Sequence, residues 1–276
     1  MSNARGEIIV LPFKGQQIWR ARFDGRDLTM KSMFDEPVDT QVYLETYGAF
    51  MIHCGLTGLG APGPEDSHPL HGEIPNAPFQ KAWLEIDEAL QRITIGGSYR
   101  HTVAFSTNYL ATAKVVMEAG SALLDVSLEV ENLKRTPMEM MYLAHANFRP
   151  VDQGELHYTA AYDAASVRVR RSIPAHISPK PDYMAFITQL AEDPLPHHRL
   201  DPSLAFDPEV VFSIDMLADS DGFAHAIQAH PDGTADYIGY RPDQAPICMR
   251  WICRTPDQDG LGTVSYTHLR AHETCV

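Results

Sequence analysis

Short runs of β-branched and aromatic residues, many alternating apolar with polar, recur along most of the chain. E-I-I-V-L-P-F at Glu7–Phe13 and Q-I-W-R-A-R-F at Gln17–Phe23 flank K-G-Q, which predicts an opening β-hairpin. From Trp83 to Phe148 the runs are W-L-E-I-D-E, R-I-T-I-G-G-S-Y, H-T-V-A-F, Y-L-A-T-A-K-V-V-M-E, L-L-D-V-S-L-E-V-E-N and M-E-M-M-Y-L-A-H-A-N-F. That spacing predicts antiparallel strands. N-L-K-R-T-P at Asn132–Pro137 supplies turn residues for a hairpin whose second strand carries His145. Further strands are expected in E-V-V-F-S-I-D-M, F-A-H-A-I-Q-A-H, D-Y-I-G-Y and C-M-R-W-I-C-R. Asp182–Glu192 is the best helix candidate, with Asp182 as its N-cap. The pattern therefore predicts an all-β fold of antiparallel sheets with one or two short helices.

One stretch breaks the pattern. Between Thr46 and Phe79 glycine and proline dominate, ending in H-P-L-H-G-E-I-P. A long loop with apolar flanks in a chain this rich in strands is expected to be ordered and functional. Nothing in the composition divides the 276 residues, so a single domain over residues 1–263 is expected. The N-terminus lacks a signal pattern and no apolar run is long enough to span a bilayer, which makes a cytoplasmic location the default expectation. A formal charge of −14 disfavours nucleic acid and anionic membranes as partners and leaves neutral small molecules open. Cys54, Cys248, Cys253 and Cys275 have neither metal-site nor disulfide-scaffold spacing and read as packing residues.

Two histidine segments carry the candidate chemistry. His71 precedes Gly72, whose backbone freedom would let a ligand approach closely; a loop histidine bonded to backbone is the alternative. His145 lies on an apolar strand where alternation places Leu143, His145 and Asn147 on one face, and a satisfied core histidine is the ordinary alternative. His53 precedes the Gly-rich loop, and both a pocket-facing and a buried structural reading stand. His197, His198, His225 and His230 read as surface residues of loops and turns.

L-H-G at Leu70–Gly72 together with N-L and H-x-N-F in Asn132–Phe148 resembles the galactose mutarotase (aldose 1-epimerase) superfamily. L-P-F-K-G-Q-Q-I-W, C-G-L-T-G, P-G-P-E-D-S-H-P-L-H-G-E-I-P and R-W-I-C-R-T-P-D-Q-D are similar to its branch that includes deoxyribose mutarotase. The resemblance implies a β-supersandwich that interconverts the α and β anomers of a free aldose, without metal or organic cofactor. It implies that His145 protonates the ring oxygen and that His71 orients the sugar or assists proton transfer. It also places a substrate-binding carboxylate near Asp207 or Glu209, and pocket aromatics among Trp19, Phe148 and Trp251. The chemistry suits the residue types, because anomerisation needs one acid and one base and histidine can be either near neutral pH.

The base is the departure. In the superfamily it is a glutamate on a strand near the C-terminus, and no residue here matches it. The segment Val264–Thr274, V-S-Y-T-H-L-R-A-H-E-T, resembles a translated sequencing-library adapter, so His268, His272 and Glu273 are set aside as non-native. The chain as given is therefore expected to lack the base and most of the activity. Two other classes remain: a carbohydrate-binding protein without catalysis, and a cupin-like metal enzyme using His68, His71, Glu73 and His145.

Overall fold

The computed structural model describes residues 1–173 and 178–267. The described residues divide into two compact units, residues 1–29 with 34–144 and residues 30–33 with those from 145 on.

In the first unit the predicted opening hairpin is present as β1 (Gly6–Leu11) and β2 (Gln17–Phe23), followed by the short β3 (Arg26–Asp27). β2 pairs with β4 (Met51–Leu56), every residue of which is buried, and β9 (Met141–Phe148) lies beside β4. A separate four-stranded antiparallel sheet runs β5 (Lys81–Asp87), β6 (Arg92–Val103), β7 (Thr107–Glu118) and β8 (Leu124–Asn132) in that order. Along β7 the alternate residues Tyr109, Ala111, Ala113, Val115 and Met117 are all buried, as the period of two requires. Tyr109, Ala111 and Ala113 cluster with Leu56, Ile74, Ala77, Phe79 and Tyr99, so the far end of the Gly-rich loop is part of this core.

In the second unit the last part of β9 begins a sheet continued by β16 (Asp259–Tyr266), β15 (Ile247–Arg254), β12 (Val210–Ile214) and β11 (Val167–Val169). A three-stranded antiparallel sheet is formed by β10 (Glu155–Tyr158), β13 (Ala224–Ala229) and β14 (Ala235–Tyr240). The helix α1 spans Tyr183–Glu192, and Asp182 stands at its N-cap without making a side-chain cap.

Three sequence expectations change. R-I-T-I-G-G-S-Y and H-T-V are one continuous strand, because the β6–β7 ladder runs unbroken from Arg92 to Val103. β8 and β9 do not form a hairpin: they belong to different sheets, and the residues between them are tied into a local turn by Asn132, which bonds Thr136 O and Lys134 N. The loop expected from Thr46 is interrupted by β4. β16 continues to Tyr266, inside the segment resembling an adapter; His268, His272, Glu273 and Cys275 lie outside the described residues. Among the described residues no helix is long and apolar enough to cross a membrane.

Candidate functional site

The H-P-L-H-G-E loop closes onto the end of β4 through backbone bonds. Gly55 N donates to His71 O at 2.8 Å, His71 N to Gly60 O at 2.9 Å, and Ile74 N to Gly55 O at 3.0 Å. Gly72, at φ +81°, passes so close that a Cβ there would lie 2.2 Å from Gly55 O and 2.4 Å from Gly58 O. His71 itself takes φ +59°, a left-handed conformation costly for a side chain, and its ring packs 4.8 Å from that of Tyr43. Glu73 is committed to the loop. Its carboxylate accepts from Thr57 N (3.1 and 3.2 Å), Thr57 Oγ1 (2.7 Å) and Tyr109 Oη (2.7 Å). His68 is held by Pro69 O at 2.9 Å and packs against Gly58.

His53 on β4 is fully buried, and its Nδ1 bonds the Tyr142 hydroxyl at 2.7 Å. Burial pushes its pKa down to about 4, so at neutral pH it is an uncharged imidazole. Its Nε2 is buried without a hydrogen-bond partner among the described residues. Trp19 is a core residue, with Arg20 over its ring at 4.5 Å.

The second unit gathers a different set. His145 and Asn147 share the buried face of β9 with Leu143, as the alternation predicted. The His145 ring meets that of Trp251 edge-on, with centroids 6.1 Å apart and planes at 71°. Trp251 comes from β15 and lies across β16, over the register pair Trp251↔Gly262. A Cβ on Gly260 would sit 2.5 Å from Cζ3 of the indole, and one on Gly262 3.3 Å from its Cβ and Cε3. Two glycines spaced by one residue thus pave a flat bed for the ring, which remains half-buried.

The indole is also fixed in its plane. Its Nε1 donates to Glu209 Oε2 at 2.7 Å, and Arg170 donates to Glu209 Oε1 at 2.5 Å. The helix α1 anchors the backbone of Glu209 through Tyr183, whose hydroxyl donates to Glu209 O at 2.8 Å. Of the two acids in F-D-P-E, Glu209 is therefore the one bonded to the aromatic, while Asp207 pairs with Lys180 at 2.5 Å. Asn147 is wholly buried, and its carbonyl accepts from Met30 N at 3.1 Å. Phe148 is buried on the opposite face of β9.

A family model described as "Domain of unknown function (DUF4432)" matches residues 2–260. The chain belongs to the DUF4432 family. Among solved structures, this DUF4432 chain is similar to a candidate aldose 1-epimerase of Klebsiella pneumoniae, at 21% identity and TM-score 0.77, over 95% of this chain and 68% of that one. A galactose mutarotase-like protein of Lactobacillus casei matches at 13% identity and TM-score 0.57, over 98% and 87% of the two chains. A candidate aldose 1-epimerase of Escherichia coli K12 matches at 13% identity and TM-score 0.56, over 97% and 87%. These likenesses establish a galactose mutarotase-like β-sandwich for the DUF4432 chain. No sequence among the curated proteins matches it.

Other sequence readings need correction in this DUF4432 fold. His197 is not a surface residue: the turn Leu195–His198 stacks it on Phe212 with ring centroids 4.0 Å apart, and its Nε2 meets Arg250 at 3.1 Å. Burial, with the Arg250 charge, drives its pKa well below the usual histidine range. His230 is also buried, 3.2 Å from Asp236. No three His, Cys, Asp or Glu side chains gather as metal ligands among the described residues, and Glu73 is already engaged by donors of its own unit. Arg170 was missed, since nothing in V-R-V-R-R distinguishes it. The D-G-L-G spacing at Asp259–Gly262 was a legible sign of a ring lying on β16.

Proposed function

We propose that this protein is an aldose 1-epimerase, acting on a small free aldose for which 2-deoxyribose is the first probe. The observation that supports it is the fixed indole of Trp251 beside His145. An aromatic ring held flat by glycines and by an N–H bond to Glu209 is the kind of surface on which the C–H side of a sugar stacks. In this reading His145, edge-on to that ring, gives a proton to the ring oxygen. Loss of the anomeric hydroxyl proton to solvent water then opens the hemiacetal; rotation about the C1–C2 bond and reclosure, with the two proton transfers reversed, deliver the other anomer. His71 as a sugar-orienting group and Asp207 as a binding carboxylate stand as proposals from the sequence resemblance, and His53 and Asn147 as further binding residues from their positions before the Gly-rich loop and beside His145 on its strand.

A second reading, sugar binding without catalysis, is favoured by one observation. The carboxylate beside Trp251 has both oxygens engaged, by Arg170 and by the indole, which suits a structural clamp better than a base. One experiment separates them. Freshly dissolved α-glucose or crystalline 2-deoxyribose is followed by NMR with and without protein, alongside calorimetric titration of the same sugars. Faster anomer exchange supports the epimerase; heat of binding without exchange supports the binder; neither signal for a panel of pentoses and hexoses removes both.

A further inference from the structure

The two edges of the four-stranded sheet in the first unit are built differently. β8 carries Asp125, Glu129 and Glu131 on its exposed positions. Antiparallel pairing of β8 with itself about Leu128 would set Asp125 opposite Glu131 twice, a like-charge arrangement that keeps such an edge single. β5 has no such guard. Its seven residues, K-A-W-L-E-I-D, contain no proline, and the β5–β6 register runs from Lys81↔Ser98 to Asp87↔Arg92 without a bulge. Leu84 and Ile86 are 59% and 65% exposed on this edge. Trp83 does not shield it, because its indole lies inward over Gly96, where a Cβ would come within 2.3 Å of the ring. Among the described residues β5 pairs with β6 alone.

We propose that β5 pairs antiparallel with β5 of a second copy of this chain, joining two four-stranded sheets about a two-fold axis at Leu84. The strand is self-complementary in that register. Lys81 falls opposite Asp87 of the second copy, and the reverse, giving two ion pairs at the ends. Ala82 falls opposite Ile86 and Leu84 opposite Leu84, which buries the exposed apolar residues on one face. On the other face Trp83 meets Glu85, and Glu85 is diagonal both to Lys81 and to Glu85 of the second copy, so the opposite-charge and like-charge diagonals offset and the net match comes from the Lys81–Asp87 pairs. A two-fold contact needs the same patch to fit itself, and this strand does so in charge and in apolar position alike. A chain with a formal charge of −14 repels its own copies, so a local basic-to-acidic match is what such an edge requires.

Sedimentation velocity of the full chain over a concentration series tests this, with circular dichroism to confirm folding of every variant. The expected result is a reversible dimer. Lys81→Asp and Asp87→Lys alone each raise its dissociation constant about tenfold or more, which corresponds to ~1.4 kcal/mol or more. The double exchange, Lys81→Asp with Asp87→Lys, restores it. Leu84→Lys, which sets two lysines together on the axis, gives a monomer. A wild-type chain that stays monomeric throughout overturns the proposal and leaves the edge to the strand of some other protein. A dimer that survives Leu84→Lys, or one that the double exchange does not restore, overturns it as well.

Discussion

The two units each hold a histidine, a glutamate and an aromatic ring, and they do opposite things with them. In the first, Glu73 holds Thr57 and Tyr109 together and so closes the loop that carries His71. In the second, Glu209 fixes the indole beside His145 and is itself gripped by Arg170. H-P-L-H-G-E looks the more catalytic on paper, because its acid and its histidine are neighbours in sequence. Yet its acid is spent on backbone and hydroxyl donors. Proximity along the chain says little about what a carboxylate does; the donors around it say more, and they are hydroxyl and backbone groups for Glu73 but an arginine and an indole for Glu209.

The largest effect that would sharpen this contrast is catalytic. If anomer exchange is found, His145→Ala is expected to lower kcat/KM by about 10²–10⁴-fold with a nearly unchanged melting temperature. Wild-type rates in that variant would end the distinction drawn for the second unit. The matching change in the first unit is one of stability. Glu73→Ala strands a buried hydroxyl and a backbone donor, and is expected to cost roughly 2–4 kcal/mol in a urea melt. A melt indistinguishable from wild type would make Glu73 something other than a loop clamp.

A comparable but reversible effect comes from pH. His53 stays neutral in the folded chain down to about pH 4, whereas an unfolded histidine takes up a proton below about pH 6.5. Between those values the unfolded state holds more protons, so stability falls as the pH drops and is unaffected by this group above about 6.5. For one proton the slope is about 1.4 kcal/mol per pH unit. His53→Gln keeps a hydrogen-bonding amide towards Tyr142 and is expected to flatten the measured slope by about that amount; an unchanged slope would mean that His53 is charged in the folded chain. Smallest is the effect of the glycine bed. Gly260→Val pushes into the Trp251 ring and is expected to weaken sugar binding about tenfold, or ~1.4 kcal/mol, as read by calorimetry. Unaltered affinity would show that sugar does not rest on that indole.

The fold class was legible because period-two alternation is strong in strands with one buried face, as in β7 and in β9 with Leu143, His145 and Asn147. Pairing was less legible. The chain leaves β8 for another sheet through a turn that resembles a hairpin join, and only long-range packing decides between the two. The second-unit cluster was half visible. Alternation gave His145, and resemblance pointed to F-D-P-E, but choosing Glu209 over Asp207 depends on where Lys180 and Arg170 come to lie. The histidines misjudged as exposed fail for a similar reason: a proline-flanked turn looks solvated until Phe212 and Arg250 are seen to receive His197.

The edge-on approach of His145 to Trp251 has an optical consequence. Indole emission is quenched by a nearby imidazolium more than by a neutral imidazole, and of the three tryptophans Trp19 is sealed in the core and Trp83 is pressed over Gly96. With those two replaced by phenylalanine, the remaining emission becomes a built-in gauge of the charge on His145. It can be titrated in the absence of any sugar, and a bound sugar that displaces water from the ring would shift its wavelength as well as its intensity.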